Sequence, residues 1–325
     1  MSVIIPVYNG MSTLPGCLDS LEEQDYLREF EVIVVDDGSS DGSGDYAESR
    51  GEKVIRQSNK GPGIARNTGA EAAQGEYLVF TDDDCIWDQN FLTELIKPVL
   101  GGGFIGSQGI QYSHQRSLTA RFIQYEYSER YRLQAKAEYL DWVATYGACY
   151  LKSAFLEAGG FNDTYSSEDC ELSIRLGKMG YRMTFAPNAR LQHRHFENFG
   201  KFLLYKYKRA YWTIWLYKKY PNRIVNDKMT PSSRKTMMIF LSLAVVFGMT
   251  AIFLNYGVYL SLFFLIVFLG QTIPLTLRIL KIDKVVGLLA PFFLTARTVS
   301  YIFGFTKGLI DYKRGIRTAK KSSAK

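Results

Sequence analysis

The chain has 325 residues, of which 47% are hydrophobic, and a net charge of +7; this length allows one large domain or two modest ones. Residues 1–195 have the mixed composition of a globular protein, whereas residues 238–277 contain no charged side chain. Much of the positive charge flanks the apolar segments and no known nucleic-acid-binding motif occurs, which argues against nucleic acid and for an anionic membrane surface as a partner.

The cysteines and the amino terminus indicate a cytosolic domain. The four cysteines are widely spaced and form no CxxC pair, which argues against a zinc site or a disulfide framework and fits a reducing compartment. They are Cys17, Cys85, Cys149 and Cys170. Residues 2–7 already have the pattern of a strand, so we expect no signal peptide.

Predicted strands and helices alternate along the first part of the chain. Strands are predicted at residues 2–7, 30–35, 53–56 and 76–81, and helices at residues 14–21, 45–50 and 64–74. There follow a helix over 89–100, a strand over 104–110, a polar surface segment over 111–140, a core segment over 146–151, a helix over 168–179 and a strand over 181–186. This alternation is typical of an α/β fold with a parallel, doubly wound sheet.

Two of the predicted strands end in carboxylates. Asp36 and Asp37 follow the second strand, and Asp82, Asp83 and Asp84 follow the fourth. Ligands bind at the carboxyl edge of such sheets, and adjacent carboxylates repel one another unless a cation lies among them. Oxygen ligands of this kind favour Mg²⁺ or Mn²⁺; the alternative is a solvated acidic turn.

A second acidic pair, Glu168 and Asp169, is predicted in the first turn of the helix over 168–179, with Ser167 at its N-cap. Acids at this position commonly complement the helix dipole. Taken alone, the pair therefore does not establish catalysis.

The motifs together resemble the inverting family 2 glycosyltransferases of GT-A fold. They occur in order at ordinary spacings: VIIPVYN at residues 3–9, VDDGSSDG at 35–42, GIARNTG at 63–69, DDD at 82–84 and EDCEL at 168–172. The resemblance covers residues 2 to about 195. It implies a Rossmann-like GT-A domain with a mostly parallel sheet.

The resemblance also implies a donor site. Pro6 and Tyr8 would line the base pocket, Asp37 would hydrogen-bond the base and Arg66 would lie near the nucleotide. Asp82 and Asp84 would form the metal-binding DxD motif for Mn²⁺ or Mg²⁺ and the diphosphate of a nucleotide sugar, with a UDP-sugar as the first candidate. His193 would be an additional metal ligand, and His195 is its competitor. The extended chain turns Asp83 the other way.

For catalysis, the resemblance implies that Asp169 is the general base and that Glu168 orients the acceptor or the base. The QxxRW motif of the processive branch is absent from the sequence, which favours transfer of a single sugar. The acidic pair favours a hydroxyl acceptor. The alternatives are transfer to a polyprenyl phosphate, which needs no strong base, and a non-catalytic membrane scaffold.

The remainder of the chain has membrane character. Residues 196–235 mix aromatic and basic side chains, which predicts an amphipathic interface helix and linker. Residues 236–278 predict two transmembrane helices in a tight hairpin, with basic flanks that place both ends in the cytoplasm. In residues 279–325, the apolar segment 285–310 contains Pro291, Arg297 and Lys307. We expect it to be re-entrant or interfacial rather than a third span, and to be followed by a basic cytoplasmic tail.

The sequence therefore predicts a multi-pass, membrane-anchored glycosyltransferase of cell-envelope glycan synthesis with a cytoplasmic catalytic domain. Its acceptor would be a lipid-linked saccharide or a glycolipid. The sugar, the nucleotide, the linkage and the oligomeric state are left open.

Overall fold

A computed structural model of the chain describes residues 1–162, 167–222, 232–251 and 256–315. These residues divide into two units. The first contains residues 1–114 and 130–195, and the second contains residues 115–129 and those that follow residue 195. The second unit thus includes residues 115–129 as well as the carboxy-terminal residues, and the domain boundaries predicted from the sequence stay predictions.

The first unit contains an eight-stranded mixed sheet. Its strands are β1 (Ser2–Val7), β2 (Glu31–Asp36), β3 (Lys53–Arg56), β4 (Tyr77–Phe80), β5 (Cys85–Trp87), β6 (Gly106–Tyr112), β7 (Ala148–Leu151) and β8 (Met183–His193), in the order β3-β2-β1-β4-β7-β6-β8-β5. The pairs among β1 to β4 are parallel, as is the β6–β8 pair, whereas β7 is antiparallel to both neighbours and β5 is antiparallel to β8. The predicted Rossmann-like α/β fold is confirmed.

Six helices lie wholly in the first unit: α1 (Leu14–Glu22), α2 (Ser43–Ser49), α3 (Pro62–Ala72), α4 (Phe91–Leu100), α6 (Lys152–Glu157) and α7 (Glu168–Lys178). A β-carbon on Gly69 of α3 would lie 2.5 Å from Ile4 Cγ2 of β1. Glycine at this position therefore lets α3 approach the sheet closely. That approach places Arg66, one turn earlier in α3, beside the carboxyl edge of the sheet.

Helix α5 (Leu118–Gln134) occupies the middle of the segment for which we expected surface structure. Its side chains Phe122 and Ile123 are buried in an apolar cluster that belongs to the second unit. The expectation of a surface segment is therefore wrong for this part of the chain. The polar composition was misleading, because Arg121, Glu126 and Glu129 of α5 form ion pairs within the second unit.

The second unit is built from long helices: α8 (Phe199–Lys219), α9 (Ser232–Thr250), α10 (Tyr256–Leu280) and α11 (Lys284–Lys313). Helix α11 packs closely on α8 through two glycines one turn apart. A β-carbon on Gly308 would lie 2.8 Å from the carbonyl oxygen of Tyr211, and one on Gly304 would overlap the carbonyl of Tyr207. Small residues four positions apart commonly allow such close helix packing in membranes.

Three of these helices are long and apolar enough to cross a membrane: 233–250, 256–280 and 284–313. The first two correspond to the two predicted transmembrane helices, whose predicted tight connection lies outside the described residues. The segment 285–310, which we expected to be re-entrant or interfacial, lies within a single helix of 30 residues. Its length alone would permit a full span, so its placement stays a prediction.

Glu126 of α5 is the centre of a buried ion cluster in the second unit. Its carboxylate pairs with Arg297 of α11 and, at 3.1 Å, with Lys206 of α8. Burial alone would raise the pKa of Glu126, but Lys206 and Arg297 outweigh it and lower the pKa to about 2. Since this pKa lies below the ordinary value, the stabilisation is fully present at neutral pH and is lost as the pH falls towards 2.

We expect Glu126→Gln to destabilise the full chain by about 3–5 kcal/mol at pH 7, because two cations would lose their buried counter-charge. Thermal unfolding in detergent at a series of pH values measures this. The difference from the unsubstituted protein should shrink below about pH 4, where Glu126 becomes protonated on unfolding.

Glu129→Gln is the matched control. Glu129 lies one turn further along α5 and pairs at 3.0 Å with Arg278, whose side chain is 45% exposed. Loss of such a pair should cost no more than about 1 kcal/mol. Equal effects of the two substitutions would contradict a special role for Glu126.

Candidate active site

The acidic residues converge at one edge of the sheet. Strands β1, β2, β4 and β8 run in the same direction, so their carboxyl ends lie at this edge. Asp82 and Asp84 follow β4, and His193 is the last residue of β8. The topology thus brings together residues that are more than a hundred positions apart in the sequence.

His193 lies beside both predicted metal-binding carboxylates. Its Nε2 is 3.4 Å from Asp84 Oδ1 and 3.8 Å from Asp82 Oδ2. The competing His195 is buried with its ring centroid 6.4 Å from that of His193. Carboxylate oxygens and an imidazole nitrogen are ligands that Mn²⁺ and related ions accept. The donor set therefore fits a divalent cation, and His193 is better placed than His195 to hold it.

Asp83 is turned away from this group, although the chain here is a turn closed by a 3.2 Å hydrogen bond from the Cys85 N–H to the Asp82 carbonyl and not the extended segment that we expected. Its carboxylate accepts a hydrogen bond of 3.1 Å from Thr13 Oγ1. Asp83 Oδ2 lies so close to Gly10 that a β-carbon there would collide with it. Asp83 thus anchors the start of α1 to the acidic loop.

Arg66 connects the predicted metal-binding loop to Glu168, the neighbour of the predicted base Asp169. Its Nη2 lies 2.5 Å from Asp82 Oδ1, and its Nη1 lies 3.3 Å from Glu168 Oε1. Burial disfavours the charged guanidinium, but the carboxylates outweigh that effect and raise the pKa of Arg66. A permanent buried cation therefore holds the first turn of α7 against the end of β4.

The predicted catalytic pair lies where α7 begins. Asp169 is half-buried, and its Oδ1 accepts a hydrogen bond of 2.7 Å from the backbone N–H of Cys170. The side chain of Glu168 is held by Arg66. Ser167 occupies the N-cap position as predicted, but among the described residues its side chain makes no capping hydrogen bond. The first turn contains a third acidic residue, Glu171, which is buried and pairs at 2.8 Å with Arg175.

The loops after β1 and β2 are tied together by hydrogen bonds. The Asn9 N–H donates to Ser39 Oγ at 3.0 Å, and the Met11 N–H donates to Asp41 Oδ2 at 2.9 Å. Of the residues predicted to contact the base, Tyr8 is exposed in this region, whereas Pro6 is buried within β1.

Asp37, the third predicted base contact, is buried and accepts three hydrogen bonds. The donors are Gln57 Nε2 at 2.7 Å, the Lys60 N–H at 2.8 Å and the Gly61 N–H at 2.8 Å. Asp37 therefore shapes the loop that leads into α3. Its contact with a base stays a prediction.

The structure adds one residue that the sequence did not indicate. Within the described ranges, single ligand atoms of Asp84, Cys85 and His193 lie within 4.8 Å of one another. Burial raises the pKa of Cys85 well above its ordinary value, and the nearby carboxylates of Asp82 and Asp84 raise it further. The thiol of Cys85 is therefore neutral in the free site. The cysteine spacing gave no signal, because the convergence arises from strand pairing.

The sequence of the domain matches an established protein family. The model of glycosyl transferase family 2 matches residues 2–158.

The amino-terminal part of the chain thus has the sequence of a glycosyl transferase family 2 domain.

Curated relatives of the chain include glycosyltransferase AglE of Haloferax volcanii, 29% identical over 57% of this chain and 64% of that protein. Another is the pre-mycofactocin glycosyltransferase of Mycobacterium tuberculosis, 28% identical over 60% of this chain and 43% of that protein. The chain thus spans less than two thirds of the length of these relatives.

A solved structure shares the fold. The mannosyltransferase PcManGT from Pyrobaculum calidifontis, in complex with GDP-Man and Mn²⁺, has a TM-score of 0.63 and 20% sequence identity. The match covers 95% of this chain and 87% of that one. At this identity the likeness establishes the GT-A fold with its carboxy-terminal helices.

The bridging position of Arg66 leads to a prediction about α7. Arg66→Met removes the cation between two partly buried carboxylates, which should weaken local structure by about 3 kcal/mol. We expect faster amide hydrogen exchange in residues 167–172, measured by mass spectrometry on the full chain. Arg66→Lys keeps the charge but loses the two-pronged geometry, and should give an intermediate rate.

Arg182→Met is the control, since Arg182 pairs with Glu138 at 3.5 Å and both side chains are exposed. It should leave exchange in α7 unchanged. Unchanged exchange in Arg66→Met would mean that the ion pairs do not hold α7 in place.

Proposed function

We propose that the chain is a metal-dependent, inverting glycosyltransferase. It would transfer one sugar from a nucleotide-diphosphate sugar to a hydroxyl of a lipid-linked saccharide or glycolipid at the cytoplasmic membrane face. The observation that carries the proposal is the convergence of Asp82, Asp84 and His193, joined through Arg66 to the acidic start of α7.

Asp82, Asp84 and His193 are the residues proposed to hold Mn²⁺ or Mg²⁺ in this site. The bound ion would supply a Lewis acid that stabilises the charge developing on the departing diphosphate. The ion pair of Asp82 with Arg66 orients this carboxylate before any ligand binds. The site is thus largely preorganised by the chain itself.

Asp169 is proposed as the general base. Glu168 is engaged by Arg66, which leaves Asp169 as the carboxylate that can receive a proton from the acceptor hydroxyl. As that oxygen forms its bond to the anomeric carbon, the bond to the diphosphate breaks on the opposite face and the proton moves to Asp169. Attack from the face opposite the leaving group inverts the anomeric configuration.

The membrane character of the second unit supports a lipid-linked acceptor. The three apolar helices α9 to α11 can anchor the chain, and the basic residues that flank the hairpin favour a cytoplasmic orientation. An anchored enzyme meets a lipid acceptor at a high effective concentration.

A screen of nucleotide sugars tests the donor proposal. Each is added to the full chain in detergent with and without Mn²⁺, and the thermal unfolding temperature is measured. We expect one donor to stabilise the protein only with the metal, by the free energy that its binding contributes. The anomeric configuration of the product, determined by NMR, then tests inversion. If no nucleotide sugar shifts the unfolding temperature with any divalent ion, the proposal is wrong.

A further inference from the structure

Strand pairing places a thiol beside the proposed metal ligands. In the antiparallel β5–β8 pair, Cys85 lies directly opposite His193. Residues opposite each other in an antiparallel pair project from the same face of the sheet. Asp84 precedes Cys85, and one oxygen, one sulfur and one nitrogen from these three residues lie within 4.8 Å of one another.

The surroundings of Cys85 hold its sulfur in this position. The side chain is fully buried, and Sγ lies 3.7 Å from the carbonyl oxygen of Tyr146, to which the thiol donates. The ring of Tyr146 lies 6.1 Å from that of His193, and its hydroxyl lies 3.0 Å from the hydroxyl of Tyr131. Tyr146 thus supports both the cysteine and the histidine from one side.

This donor set differs from the one that a Mn²⁺ enzyme needs. Oxygen ligands suffice for Mn²⁺ and Mg²⁺, whereas a thiolate favours zinc and similar ions, which also stand above Mn²⁺ in the general order of affinity. Catalytic zinc sites combine three protein ligands with one open position, and zinc ligands in proteins are Cys, His and carboxylate side chains. Asp84, Cys85 and His193 supply such a set.

We infer that Asp84, Cys85 and His193 form a binding site for a thiophilic divalent cation of the Zn²⁺ class, and that this cation competes with Mn²⁺ for the donor site. The inference rests on the proposed function for the position of the Mn²⁺ site. When such an ion binds, a metal–sulfur bond forms, the hydrogen bond to the Tyr146 carbonyl is lost and the thiol proton passes to water. Zn²⁺ would then inhibit transfer, because it occupies Asp84 and His193.

Co²⁺ is the probe for the sulfur ligand, since cobalt–thiolate bonds give a charge-transfer band in the near ultraviolet. The full chain in detergent is titrated with Co²⁺, and the same titration is made with Cys85→Ser, Cys85→Ala and Cys17→Ser. Cys17 is a matched control, because it is also fully buried and its Sγ lies 3.7 Å from the carbonyl oxygen of Asp82. We expect the band in the unsubstituted chain and in Cys17→Ser, and its loss in both Cys85 variants.

Zn²⁺ affinity, measured by competition with a chromogenic chelator, should fall at least about tenfold in the Cys85 variants. Mn²⁺ affinity, measured by electron paramagnetic resonance of the free ion, should stay nearly constant, which also shows that the variants are folded. Absence of the band from the unsubstituted chain, or its persistence in Cys85→Ala, overturns the inference.

The two proposals can fail separately. If Mn²⁺ binds and supports donor binding while no cobalt–sulfur band appears, the thiophilic site is wrong and the proposed function stands. If the band appears but Mn²⁺ does not bind, the sulfur site stands and the proposed metal dependence fails.

Discussion

Replacing Asp169 with asparagine should lower kcat for transfer to a hydroxyl acceptor by a factor of about 10²–10⁴, the usual contribution of a general base. The amide keeps the shape of the side chain but cannot receive the proton. Binding of the donor and of Mn²⁺ should change little, because Asp82, Asp84 and His193 stay intact. Single-turnover transfer assays, together with donor binding by calorimetry, separate the two effects.

Two control variants sharpen this test. Glu138→Gln changes an exposed carboxylate of the same unit, with 80% of its side chain accessible, and should leave kcat unchanged. Glu168→Gln loses an ion pair with Arg66 and should impair stability more than the proton transfer step. If Asp169→Asn lost donor binding as well as turnover, Asp169 would be part of the donor site instead of the base.

The same variant distinguishes the acceptor classes. A lipid phosphate attacks with an oxygen that is already ionised, so its transfer does not require a strong base. If the Asp169→Asn variant retained most of its activity on a polyprenyl phosphate, that result would favour a phosphate acceptor over a hydroxyl acceptor. Loss of activity on both acceptors would indicate that Asp169 has a further role, such as positioning the acceptor.

The sequence predicted strands β1 to β4 well, because most of them are short apolar runs bounded by turn residues, whereas β5 and the antiparallel pairs of the sheet were not predicted. The strand predicted at 53–56 matches β3 in full, and that at 2–7 matches β1. All six side chains of β1 are buried, as expected for a central strand of a parallel sheet. The hydrophobic pattern alone was sufficient here, since both faces of the strand are covered.

The assignment of α5 could not be predicted in the same way. Its residues Arg121, Glu126 and Glu129 look like an exposed face in sequence, yet each has an ion-pair partner in the second unit. These partners lie more than 140 positions further along the chain. The local sequence cannot indicate an ion pair of this kind, because charged residues recur at the same spacing along a helix whether they face water or an opposite charge.

The candidate site was also only partly predictable from the sequence. The acids and His193 were predicted from the motifs, which specify residue types at fixed spacing, and their roles stay predictions. Cys85 and the bridging role of Arg66 depend on the β5–β8 register and on the distance between α3 and α7. Register and packing arise only in the folded chain, so these two features required the structure.

The largest expected effect on ligand binding is that of the metal-site variants. Asp84→Asn and His193→Ala should each lower Mn²⁺ affinity at least about a hundredfold, beyond what is typical for a group that only supports a ligand. Transfer should fall by a factor on the order of 10³, since a bound divalent ion contributes several kcal/mol to charge stabilisation. Electron paramagnetic resonance of free Mn²⁺ measures the first effect, and a transfer assay at saturating metal measures the second.

The neighbours of these residues are the matched controls. Asp83→Asn changes a carboxylate adjacent to Asp84 that faces Thr13, and His195→Ala changes a buried imidazole two positions after His193. Both should retain Mn²⁺ binding, although His195→Ala would reduce stability by leaving a cavity. If His195→Ala lost Mn²⁺ binding and His193→Ala kept it, His195 would be the metal ligand instead of His193. Retention by all four variants would place the cation elsewhere, and the acidic end of β4 would then be a solvated turn.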